Sequence, residues 1–172
     1  MATPLSATAV VAALQAEGVH VETYKTWANH NRGLRGDGWG PVHGVVLHHT
    51  VTKGSTAAQT ASSVEQCYVG YPDPPNLLPG PLCHGVIDKQ GVVHMVGWGR
   101  TNHAGLGDAD VLNAVIAEHA LPAPNQMDQD GNARFYGFEC INLGDGKDPW
   151  PDRKSTRLNS SHPSKSRMPS SA

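Results

Sequence analysis

Apolar positions along this chain recur with two different periods, and the change from one to the other predicts its elements. Ser6 is followed by Val10, Val11, Ala13 and Leu14 at helical spacing, with Gly18 as the stop, so a capped helix is expected to about Ala16. Residues 19–41, with Trp27, Trp39 and scattered Gly and Asn, carry no clear period and read as irregular. The next stretch is short and apolar, ends in His48, His49 and Thr50, and breaks at Gly54. It predicts a buried core strand over 44–49 whose C-terminal end delivers an imidazole into a cleft. Ser55 or Thr56 caps a second helix to about Tyr68, and the prolines and glycines of 70–81 exclude regular structure there. Residues 82–88 and 92–96 flank the turn Lys89-Gln90-Gly91 and predict a β-hairpin. A Gly-rich segment (97–108), a helix from Ala109 to about His119, a Pro/Asp/Gly linker (121–133) and an alternating strand (135–143) complete the pattern. Helices interleaved with at least four strands give a single α/β domain, a mixed central β-sheet flanked by helices.

Composition narrows the function. A chain of 172 residues has room for one domain with a real core. Up to residue 151, eight Lys and Arg stand against fourteen Asp and Glu, an acidic body that argues against nucleic acid as a partner. No apolar run approaches the roughly 20 residues of a membrane span, so no membrane partner is expected. The first residues lack a basic stretch and a strong apolar core, so no secretory signal is read there. Cys67, Cys83 and Cys140 show no CxxC spacing; a Cys67–Cys83 disulfide and buried free thiols both remain open.

Residues 152–172 break from this pattern. They are Ser-rich and basic, with almost no apolar positions, and composition predicts disorder. Residues 152–162 also resemble an in-frame translation of a sequencing adapter, and 166–172 its continuation, with 163–165 filling the space of a sample index. The domain is therefore expected to be 1–151, followed by a non-native tail, and His162 is set aside as a ligand.

Three groups carry candidate chemistry. His48 and His49 adjoin on one strand, where alternation sends them to opposite faces, so one site takes only one of them. His84, His94 and His103 form the second group; packing or a hydrogen bond to a loop accounts for His84 and His94 equally well. His119 suits the end of its helix. Glu139 is the third, a carboxylate in an otherwise apolar strand, where an unpaired charge is costly. A cation satisfies it, or it faces a cleft with a raised pKa, or it sits on the solvent side of an edge strand.

The segments GVVLHHTVT (44–52), LCHGVIDKQGVVHMVGWGRTNHAGLGD (82–108) and FYGFECINLGDG (135–146) change the weights. Together they resemble the zinc-dependent N-acetylmuramoyl-L-alanine amidases over about residues 20–150. That superfamily includes phage endolysins, bacterial cell-wall amidases and animal peptidoglycan recognition proteins, and the likeness is to actinobacterial and actinophage members. The resemblance implies a monomer that cuts peptidoglycan between N-acetylmuramic acid and L-alanine at the cell wall, reached with a phage holin or by another export route. It implies zinc held by His48, Glu139 as the catalytic carboxylate taking a proton from zinc-activated water, and His49, His84 and His103 on the substrate side. Cys83 stands where the family usually has a tyrosine, which shifts the catalytic weight to Glu139. The family completes its zinc site with a second His and then an Asp or Cys beside a G-H…D-P pattern. Neither appears before residue 151, so the fold is expected to be missing its C-terminal part, the zinc site to be incomplete, and the chain as written to be inactive. Two further readings compete: a peptidoglycan-binding recognition domain without catalysis, and a metal-dependent nuclease, which the acidic body disfavours.

Overall fold

A computed structural model describes residues 2–33 and 38–151, and the expectations for the segment 152–172 lie outside the described residues. The chain begins with helix α1 (Ala7–Ala16) and strand β1 (Val21–Thr23), then β2 (Val45–His49) and helix α2 (Ala57–Val69). Short strands β3 (Gly70–Tyr71) and β4 (Leu78–Pro79) precede β5 (Gly85–Ile87) and β6 (Val93–Met95). After β7 (Leu106–Gly107) come helix α3 (Ala109–Ile116), β8 (Gln129–Asp130), the single turn α4 (Gly131–Arg134) and β9 (Tyr136–Cys140).

Five strands form one mixed sheet in the order β1-β6-β5-β9-β2, antiparallel only between β5 and β6. The hairpin read around Lys89-Gln90-Gly91 supplies that antiparallel pair: Asp88 Oδ1 accepts the Gln90 and Val92 N–H groups across the turn. Helix starts follow the capping chemistry of the sequence. Ser6 Oγ accepts the Ala9 N–H, Thr56 and Gln59 form a reciprocal capping box, and Asp108 accepts the Asp110 and Val111 N–H groups.

The sheet separates two apolar clusters, as the period-two alternation of its strands requires. On one side Val93, Met95 and Phe138 pack with Trp27 and Trp98 against Val10 of α1. On the other, Val86, Val96, Cys83 and Ile141 pack against Val64 and Cys67 of α2. All three cysteines are free thiols, with Cys67 and Cys83 both inside this second cluster.

Four expectations need correction. Within 19–41, the three residues of β1 join the sheet in parallel with β6, Val21 opposite Val93; so short a strand has no period to read, and pairing decides it. Residues 70–81 contain the β3–β4 pair, Gly70 opposite Pro79, which closes the loop across prolines that need no further partner. The 121–133 linker contains β8, which pairs with β7, and the start of α4. The β2 strand is not buried on both faces: it is the sheet edge, with Val45 58% and Leu47 65% exposed. A short apolar run does not distinguish an edge strand from a central one.

Met95 is fully buried between β1, β5 and α1. Met95→Ala should destabilise the fold by about 2–5 kcal/mol, the range for emptying a packed core site, measured as a lowered urea midpoint with an unchanged slope.

Candidate active site

His48, His49 and Glu139 lie at the C-terminal ends of β2 and β9, while His103 and His84 pack against the first half of β9. These strands pair in parallel with Val46 opposite Gly137 and His48 opposite Glu139, while Glu139 also faces Val86 of β5. Register partners in a ladder share a face, so His48 and Glu139 emerge side by side toward α2. Glu139 is half-buried, and its Oε2 has no hydrogen-bond partner among the described residues. Burial pushes its carboxyl up to about 7, and the nearby His49 pulls slightly the other way.

Glu139 lines a cavity of about 150 Å³ with His49, Thr50 and Thr52 from the β2 side, Ser63, Gln66 and Cys67 from α2, and Tyr71 and Leu82 from the following loop. A larger hollow of about 400 Å³ lies beside the first residues of β2, around His43 and Glu118, and contains none of the expected site residues. Its chemistry is poorer and its mouth wider, so the smaller cavity is the candidate site.

Of the two adjacent histidines it is His49 that lines this cavity; His48, His103 and His84 are not in its lining and form a line of their own. His48 Nε2 lies 3.3 Å from His103 Nδ1, and His103 Nε2 lies 3.0 Å from the Phe135 carbonyl oxygen. A carbonyl only accepts, so His103 Nε2 carries the hydrogen. Burial pushes the His103 pKa down to about 4, so its Nδ1 is bare at neutral pH and His48 Nε2 donates to it. Burial also lowers the pKa of His48, whose neutral ring then keeps its lone pair on Nδ1. His84 lies deeper and is fully buried: its Nε2 donates to the Gly99 carbonyl and its Nδ1 accepts the Gly137 N–H. Desolvation takes its pKa down to about 3. His84 thus braces the strand end from behind His103, His49 rims the cavity, and His94 is held apart between Asp88 and Glu22.

Two residues that position this line were not singled out by the sequence. Asn132 is buried, and its Oδ1 accepts the N–H groups of His103, Ala104 and Gly105, which folds that segment around one oxygen. Gly137 leaves no room for a side chain: a Cβ there would run into the His103 ring. A glycine inside a strand signals such a close approach, and FYGFE carries one. Asn132 had no comparable signal, since DGNAR reads as an ordinary turn. The paired Arg100 and Asp130 tie the start of the His103 segment to β8.

A catalytic zinc takes three protein donors and a water. Among the described residues no group of three or more His, Cys, Asp or Glu side chains could hold a metal ion. The donors among the described residues do not by themselves fit the expected ion. Among the described residues no helix is long and apolar enough to cross a membrane.

A family model described as N-acetylmuramoyl-L-alanine amidase matches residues 38–160, the greater part of the chain. The match spans both strands of the candidate site, the cavity and the Asn132 loop. No curated protein matches the chain.

Asn132→Ala should strand three backbone N–H groups and cost about 2–3 kcal/mol by equilibrium unfolding, while Asn132→Asp, which keeps the acceptor, should cost less. Nitrogen NMR of the His103 ring should show its fixed tautomer become mixed in the alanine variant.

Proposed function

Because the chain belongs to the N-acetylmuramoyl-L-alanine amidase family, a peptidoglycan-hydrolase family that acts on the cell wall, we propose that Glu139 is the proton-transfer group of its amide hydrolysis. The bond addressed is the amide between the N-acetylmuramoyl group and L-alanine. The observation that carries this reading is Glu139 at the cavity wall, register-paired with His48, its desolvated Oε2 without a hydrogen-bond partner among the described residues. A carboxyl pushed up to about 7 accepts a proton from water near neutral pH without holding it too tightly to give back. Glu139 takes the proton as the water oxygen attacks the amide carbonyl. It then returns that proton to the leaving nitrogen, so that one water and one amide become a carboxylic acid and an amine. His48, held by His103, shares the face on which the attack occurs.

His48 is in this reading the zinc donor that the described residues contribute. His48→Ala should lower the zinc retained after dialysis, measured by atomic absorption; unchanged zinc content would remove the ion from the reading.

Glu139→Gln should lower muramoyl-amide cleavage by about 10²–10⁴-fold while leaving the circular dichroism unchanged. Activity in the parent should fall as pH drops through about 7, because the protonated carboxyl accepts nothing. The stability effect has the opposite sign. Burial raises the folded pKa above the ordinary 4.5, so the group's contribution to stability is complete below about 4.5 and is lost as pH rises through about 7. Glu139→Gln should therefore be more stable than the parent at pH 8 and no more stable at pH 4. Full cleavage activity in the Gln variant would end the assignment.

A further inference from the structure

Three hydroxyl groups from residues of the Glu139 cavity are linked to one another. Thr50 Oγ1 lies 2.7 Å from Thr52 Oγ1, and Thr52 Oγ1 lies 2.7 Å from Ser63 Oγ. Thr50 Oγ1 also accepts the Asn142 N–H at 3.4 Å, which anchors that end to the residue after Ile141. All three residues line the cavity that Glu139 lines.

The backbone is bent to bring them together. Val51, between the two threonines, has φ +55°, a left-handed conformation that a β-branched residue rarely adopts. That turn ends the strand and aims two threonine hydroxyls at each other, where continued β alternation would leave Thr50 and Thr52 parallel and a full repeat apart. Such strain persists where surrounding structure imposes it, and it concentrates at functional sites. Ser63 departs from habit as well. A helical serine ordinarily bonds the backbone of its preceding turn, but Ser63 reaches from α2 across to Thr52.

Hydrogen bookkeeping gives the chain its chemistry. Three hydroxyls carry three hydrogens, and two links use two, so one O–H donor is left over. Running from Ser63 through Thr52 to Thr50, the free hydrogen is on Thr50; reversed, it is on Ser63; with both ends donating to Thr52, it is on Thr52. The chain can therefore offer a donor at either end and an acceptor at the other, the complement of an amide, which carries both N–H and C=O. A cavity of about 150 Å³ is small beside pockets of several hundred and suits a peptide unit with a small side chain better than a sugar ring.

We infer that the Thr50–Thr52–Ser63 hydroxyl chain is the polar wall of a subsite that holds a peptide amide of the muramoyl peptide opposite Glu139, with Thr52 as its positioning residue. The inference rests on the amidase reading above. Thr52 is exposed to the cavity, so replacing its hydroxyl by a methyl group disturbs little packing.

The test uses the full chain and N-acetylmuramoyl-L-alanine as the probe. Thr52→Val should raise KM about fivefold, the worth of one ordinary hydrogen bond, with kcat changed less than twofold. In the Glu139→Gln background it should weaken probe binding by calorimetry by the same factor, and Thr52→Ser should restore both values. A purely structural role would lower the melting temperature without this division between KM and kcat and without rescue by Ser. If the parent cleaves the amide and Thr52→Val changes neither KM nor binding, the subsite is overturned and the amidase reading stands. If the parent cleaves nothing while Glu139→Gln binds the probe in a Thr52-dependent way, the amidase reading falls and the subsite stands. If the chain neither cleaves nor binds the probe, both fall.

Discussion

The parallel pairing of β2 with β9 is the constraint on which the site depends. With Val46 opposite Gly137 and His48 opposite Glu139, the imidazole and the carboxylate share one face of the sheet. A slip of one residue in either strand would send one of the two through to the opposite face, toward the α1 side. The register is held from both flanks. On β5, Gly85 and Ile87 pair with Phe138 and Cys140, and Phe138 is anchored in the cluster under α1. On the other face Gly137 lies flat beneath the His103 ring, where a larger residue has no room. A bulky apolar residue pointing one way and a glycine pointing the other thus fix where Glu139 emerges, and side-chain chemistry takes no part in the choice.

A second constraint comes from outside the sheet. The segment carrying His103 has almost no secondary structure of its own, and its order comes from Asn132, Arg100 and Asp130. Asn132 gathers three N–H groups on one oxygen, which leaves the His103 ring free to bridge the Phe135 carbonyl and His48. The ring orientation in the site is therefore inherited from a buried amide one layer away. A loop organised in this way can deliver a side chain as rigidly as a strand does.

How much of this was legible in the sequence varied with the kind of signal. The α/β class, the helix starts and the hairpin were readable, because caps, turn residues and period-two alternation are local. Glu139 stood out for the same reason, as one carboxylate in an apolar strand. The edge position of β2 was not readable, since a central strand and a half-covered edge strand present the same run of valine and leucine. Strand β1 was missed because three residues carry no period, and the β3–β4 pair because its prolines argue against strands except at an edge. Asn132 and the Thr50–Thr52–Ser63 chain were invisible for a further reason. Each depends on partners brought in by the fold from well outside its own segment: Asn132 on His103, and Thr52 on Ser63 across the β2–α2 turn.

One physical cause acts throughout the site with opposite consequences for acids and bases. Desolvation disfavours charge of either sign, so it raises the carboxyl of Glu139 and lowers the imidazoles of His48, His103 and His84. At neutral pH the three imidazoles are uncharged and the carboxyl is close to half protonated. Such a site presents a neutral amide with uncharged imidazoles, and the neighbouring hydroxyls are neutral too. The charge of the ionised Glu139 carboxylate is neutralised when it takes the proton from the attacking water. In a charge-poor chain, with no cation paired to Glu139 among the described residues, burial is what raises that carboxyl toward neutral pH.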